Sequence, residues 1–158
     1  MPTRSLVVAV LALLPFAPPV RAGEPPLNGC TVETALRWSE LAAPARQVDF
    51  ECCEYLPPCV LISAGQSVTF AGTFNSHPLA PGRVDGSTTT PQPGNPIPAT
   101  GSGTTPLEVP FPDPGDWGYF CDFHFEAGMY GAVFVALFAD GFEDGSLAGW
   151  SATTATTP

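Results

Sequence analysis

Between Tyr119 and Tyr130 the chain reads Tyr-Phe-Cys-Asp-Phe-His-Phe-Glu-Ala-Gly-Met-Tyr, which sets a thiol (Cys121), an imidazole (His124) and a thioether (Met129) within nine residues. Donors of these three kinds, so close together, can converge on one soft metal ion. A second imidazole would complete a trigonal thiolate-and-two-imidazole set with a weak axial thioether, the arrangement that suits copper. The chain has two histidines, and the other is His77. Each residue taken alone has a plainer use: half of a disulfide, a surface or core imidazole, a core-filling Met. Their coincidence favours the metal.

The elements that must position these donors are extended. Val48-Asp-Phe50, Cys59–Ser63 and Ser67–Phe74 are β-branched and aromatic runs, the last two joined by a turn at Ala64-Gly-Gln66. His77 follows the third run, at a strand-to-loop corner. Leu107–Phe111 resumes extended structure, Asp113–Asp116 is a turn, Trp117–Phe120 leads into the ligand loop, and Ala132–Phe138 closes the sheet. Short strands of this kind separated by Gly turns indicate an antiparallel sandwich. Between Pro78 and Pro106 lie 29 residues with seven prolines and five glycines. Regular structure is not expected there, and a loop that long is expected to cover one side of the sandwich. Thr31–Ala43 reads either as a turn or two of helix capped by Thr31, with Leu36 and Leu41 inward, or as an irregular lead-in. Gly23–Leu27 is expected to be loosely held.

The Cys-x-x-His-x-x-x-x-Met spacing of Cys121, His124 and Met129, with His77 upstream, resembles the plastocyanin/azurin-like cupredoxins, the small type 1 copper proteins. The resemblance covers roughly 30–137 and centres on 112–135, where a Pro-Gly turn, an aromatic strand, the ligand loop and a closing strand follow one another. It implies an all-β, cupredoxin-like antiparallel Greek-key β-sandwich with a long Pro/Gly-rich loop. It also implies one copper per chain on His77, Cys121, His124 and Met129, and a one-electron carrier, not an enzyme. His124 would be the exit for the electron, within an apolar patch of Phe123 and Phe125 with Leu79, Pro81 and Gly128; those two aromatics could equally be core. Phe120 stands where plastocyanins carry a tyrosine on a second route. Two further positions depart from the pattern. Pro78 replaces an Asn whose backbone N–H donates to the ligand sulfur, and Phe123 replaces a Pro. The same donors would serve a copper storage or delivery protein, or a structural sandwich holding zinc.

If Cys121 is reserved for metal, then Cys30, Cys52, Cys53 and Cys59 remain, with three possible connectivities. The resemblance favours Cys30 with Cys59, leaving Cys52 beside Cys53; crossed pairings such as Cys30 with Cys52 and Cys53 with Cys59 stay open. Disulfides fit an exported address. Residues 1–22 read as a secretory signal, with Arg4 ahead of the apolar run Leu6–Phe16 and small residues at Val20-Arg-Ala22. That run is shorter than the ~20 residues a membrane span takes. The expectation is one soluble domain over 23–138, periplasmic or secreted, monomeric, followed by a flexible acidic tail at 139–158.

Five arginines and no lysines face fifteen acids, and loss of the signal removes two of the arginines. Such a surface repels nucleic acid and anionic membranes and steers a basic redox partner, such as a c-type cytochrome, by an attraction that salt weakens. Plain solubility is an equal use of the same charge.

Overall fold

Alternation between two buried faces governs the architecture. The computed structural model describes residues 25–39, 41–51, 53–103 and 106–137. The expected signal at 1–22, the tail at 139–158 and Cys52 lie outside them. In chain order the strands are β1 (Leu36–Arg37), β2 (Gln47–Glu51), β3 (Glu54–Leu56), β4 (Cys59–Ser63), β5 (Gln66–Gly72), β6 (Leu79–Pro81), β7 (Arg83–Asp85), β8 (Thr88–Thr90), β9 (Leu107–Phe111), β10 (Gly115–Cys121) and β11 (Tyr130–Ala136). Two single 3-10 turns, Ala43–Ala45 and Phe125–Ala127, complete the set. One sheet runs β1-β4-β11-β10-β6, the other β3-β2-β5-β9, and β7 pairs with β8 alone.

The two large sheets face each other as a cupredoxin-like Greek-key β-sandwich. In β2 and β5 the apolar residues Val48, Phe50, Val68 and Phe70 point into the core, while Asp49, Glu51 and Thr69 alternate outward. The other sheet is buried on both sides. Val60, Ile62, Val133 and Val135 enter the core between the sheets, whereas Leu61, Ala132 and Phe134 pack against Leu27, Cys30 and Ala35 of the N-terminal segment. That double burial explains why β4 and β11 read as unbroken apolar runs.

Because the turn at Ala64-Gly65 carries the chain from one sheet to the other, β4 and β5 do not pair. Their sheet neighbours come from distant parts of the chain, so β1 with β4, β4 with β11 and β2 with β5 run parallel among otherwise antiparallel pairs.

The N-terminal segment corrects one expectation and decides between two alternatives. Leu27 is not loose, since it exchanges backbone hydrogen bonds with Cys30 and is 4% exposed. Over 31–43 the irregular lead-in prevails: Thr31 and Thr34 form one closed turn, and β1 follows. Ala35 and Trp38 are the buried residues there, while Leu36 and Leu41 face outward, because a two-residue strand cannot present a helical stripe. The Cys30–Cys59 disulfide, with Cα atoms 5.5 Å apart, ties this segment to β4 and excludes the crossed pairings.

The Pro/Gly-rich stretch is more regular than composition suggested. It contains β6, which pairs with β10, and the β7–β8 hairpin. The rest straps the sandwich as expected. The side chains of Gln92 and Asn95 bond the backbone of Asp116 and Gly118 in β10, and Ile97 is fully buried in the core. Gly118 is required at that crossing, where a Cβ would collide with the Gly82 carbonyl.

Candidate metal centre

Cys121 ends β10 and Tyr130 begins β11, so the antiparallel pair brings the two ends of the ligand loop side by side, with Phe120 opposite Tyr130. The loop between is closed by its own backbone. Cys121 N–H donates to the Met129 carbonyl (2.9 Å), and the His124 carbonyl accepts from both Ala127 (3.0 Å) and Met129 (3.1 Å). Gly128 sits at φ 95°, a left-handed position that glycine takes at no steric cost, and it turns the chain out of the 3-10 turn back toward β11.

His77 lies five residues beyond the end of β5, in a turn where its N–H and that of Ser76 both donate to the Thr73 carbonyl. Its ring is packed edge-on against Phe50, centroids 6.1 Å apart. The two loops are joined directly, since Asp122 N–H donates to the Pro78 carbonyl at 2.9 Å and Cys121 pairs with Leu79. Pro78 itself is buried.

This backbone brings His77, Cys121 and His124 together. The two Nδ1 atoms are 3.2 Å apart, and the Cys121 Sγ lies 3.4 Å from that of His124 and 4.0 Å from that of His77. A circle through these three atoms has a radius of about 2.1 Å, the length of a metal–imidazole bond and close to the ~2.3 Å of a metal–thiolate bond. One ion can thus touch all three donors without any of them moving far. Met129 is fully buried in the same apolar cluster as Cys121, and its backbone is bonded to both Cys121 and His124.

The electrostatics suit a soft donor set of neutral imidazole and thiolate. Burial lowers the His77 pKa, and the neighbouring His124 ring lowers it further, so the ring favours its neutral, lone-pair form. Burial pushes the Cys121 thiol up, while the backbone N–H groups of Phe123 and His124 pull it partly back. A metal overrides that burial penalty, because a coordinating thiol is deprotonated outright.

The surface around the site divides the aromatics that the sequence left open. Phe123 is 65% exposed beside the half-buried His124 ring. Phe125 is half-buried, with its ring 5.8 Å from that of Phe120, which is itself buried. Gly128 is exposed, but Leu79 is core and contributes nothing to a surface patch. Three residues near the site carried no sequence signal. Asn28 is 5% exposed and its amide bonds the Gly82, Tyr119 and Gly131 carbonyls; Tyr119 and Tyr55 are buried in the core with their rings edge-to-face.

A β-sandwich with a Cys-His-His cluster at one end, assembled from the β5–β6 and β10–β11 connections, defines a cupredoxin-like domain. Similar solved structures include amicyanin from Paracoccus versutus, 25% identical, with 67% of this chain and 94% of that one covered at a TM-score of 0.40. Plastocyanin from Dryopteris crassirhizoma is 15% identical, with 57% of this chain and 99% of that one covered at 0.37. The Cu-containing nitrite reductase (NirK) from Thermus scotoductus SA-01 is 22% identical over 57% of this chain at 0.40, and this chain spans 22% of its length. Neither a protein-family model nor a curated protein matches the chain. Among the described residues no helix is long and apolar enough to cross a membrane.

Proposed function

We propose that His77, Cys121, His124 and Met129 hold one copper ion and that the chain is a one-electron carrier, not an enzyme. The observation that carries this is the spacing of the three donor atoms, which a single ion of ordinary bond length satisfies. Bound copper would supply a one-electron couple. The protein's part is to keep the donors still. Cross-bonds between the two loops and within the ligand loop fix all three, so little has to rearrange when charge changes. Met129 would supply a fourth, weak thioether donor in this reading, and the apolar packing buries Cys121 completely.

His124, half-buried beside the exposed Phe123, is the path between the ion and a partner. Fifteen acids against five arginines favour a basic redox protein. An extracytoplasmic location follows from residues 1–22 read as an export signal and agrees with the Cys30–Cys59 disulfide.

The test is to add Cu(II) to the metal-free protein and record absorption and EPR spectra. An intense visible charge-transfer band, lost in Cys121→Ser, is expected; a colourless protein that takes up one zinc instead refutes copper. Rapid electron self-exchange separates a carrier from a storage or delivery protein, which would instead hand copper to a metal-free acceptor.

A further inference from the structure

Tyr55 is the middle residue of β3; Glu54 and Leu56 on either side face solvent, while its own ring runs into the core at 2% exposure. The ring stands edge-on to Tyr119 at 4.9 Å and to Phe50 at 5.5 Å. Tyr119 is two residues ahead of Cys121 on β10, and Phe50 is the ring that packs against His77. Tyr55 therefore rests against the supports of two metal donors and shares one apolar cluster with Cys121. Its hydroxyl is buried and has no hydrogen-bond partner among the described residues. The Tyr119 hydroxyl, by contrast, donates to the Pro58 carbonyl at 2.9 Å. A buried hydroxyl without a partner is a standing cost to folding, and phenylalanine would fill the same volume without it.

We propose that this hydroxyl serves the Cys121 sulfur: buried in the core beside β10 without a partner among the described residues, its dipole stabilises the negative charge that the sulfur carries when it binds a metal. Tyr55 is then a positioning residue of the site, and the proposal rests on the copper reading above. The phenol is suited to act as a dipole and nothing more. Burial, with negative charge on Tyr119 and Cys121 as lesser causes, pushes its pKa up, so its proton stays in place. With no acceptor for that proton, oxidation to a radical would strand it, and the ring is no relay for electrons.

Less charge donated by the sulfur favours the reduced ion. Tyr55→Phe should therefore shift the Cu(II)/Cu(I) preference toward Cu(II) by about threefold to tenfold, a potential lower by ~28–59 mV at 59 mV per tenfold for one electron. The charge-transfer band should move to lower energy. In the metal-free full chain the same variant should melt at or above the wild-type temperature, since no bond is lost.

Tyr119→Phe is the comparison. It removes the bond to Pro58, so it should lower the metal-free melting temperature while leaving the potential in place. A folded, copper-loaded Tyr55→Phe protein at the wild-type potential overturns the proposal, as does a metal-free melting temperature several degrees below wild type, which would reveal a structural partner for the hydroxyl. A wild-type chain that binds no copper sinks the copper reading and this proposal together; the first two outcomes sink this proposal alone.

Discussion

Asn28→Ala offers a direct measure of what holds the donor strands in register. The Asn28 amide nitrogen donates to the carbonyls of Gly82 (3.0 Å), Tyr119 (3.1 Å) and Gly131 (3.0 Å), and its Oδ1 accepts from Val84 N–H (2.8 Å). These partners lie on the β6–β7 corner, on β10 two residues before Cys121, and on β11 two residues after Met129. One side chain thus cross-links the strands that carry three of the four proposed donors to the segment that leads from His77. Two N–H groups serve three carbonyls, so one bond is shared. At ~1 kcal/mol net per bond, with the Val84 N–H left unpaired in a half-buried setting, truncation costs about 3–4 kcal/mol. At roughly 4 °C per kcal/mol for a domain near a hundred residues, the melting temperature falls by about 12–16 °C.

Asn28→Asp sharpens the test. A carboxylate of the same size cannot donate and would face three carbonyl oxygens, so at neutral pH it should cost more than alanine. Protonation restores one donor, so the folded state holds that proton above the unfolded Asp pKa of ~3.9. The folded state then binds more protons than the unfolded one, and the deficit relative to wild type shrinks as pH falls through the raised value. Thermal melts of the metal-free proteins, followed by circular dichroism from pH 7 to 4, read both effects. An alanine variant within 3 °C of wild type, together with an aspartate variant whose deficit ignores pH, would refute the reasoning.

The remaining predictions concern the staple and the donors. Replacing Cys30 and Cys59 together by serine opens a loop of sequence separation 29 and should cost ~3.6 kcal/mol by the chain-entropy relation, seen as a lower urea midpoint; a loss under ~1 kcal/mol would mean the N-terminal segment is held by Asn28 and Leu27 alone. Pro78→Asn adds an N–H where proline has none, on a residue whose carbonyl already holds Asp122; bound copper should become easier to reduce by about threefold, and an unchanged or lower potential with the fold intact counts against it. The His77 pKa is depressed in the fold. The unfolded chain therefore takes up a proton near pH 6.5 that the folded one resists, so the contribution of His77 to metal-free stability is full above that pH and is lost as pH falls through the folded value. His77→Phe should flatten the acid limb of the stability curve between those two values; an unchanged limb would place the titration elsewhere.

What the sequence disclosed about this molecule depends on how local the cause was. Cys121 and His124 are separated by two residues of one short loop, so their spacing alone nearly fixes their mutual approach, and that approach was legible. Cys59–Ser63 and Leu107–Phe111 were found to the residue because unbroken or alternating apolar runs have no other compact use. The strap after Pro78 was misjudged as irregular because proline marks where a chain cannot donate, not where it cannot pair: Leu79 and Ala80 meet β10 although Pro78 and Pro81 flank them. The helical alternative for 31–43, with Leu36 and Leu41 inward, stayed open because the disposition of a short segment is set by what it docks against, here β4 for β1, and that information is not local.

Asn28 and Tyr55 lay wholly beyond reach for the same reason. An asparagine before a glycine reads as a turn, and a tyrosine between two outward residues reads as one strand position among many. Only the crossing of three strands makes the first a buried clamp, and only the far sheet makes the second an unpaired hydroxyl in the core. The proposed donors are written in the chain, but the groups that would set their energies are brought there from 22 residues before His77 and 93 before Cys121, as in the case of Tyr55 and Asn28. Changes at those two positions should therefore alter the site's properties while the ligand motif stays intact.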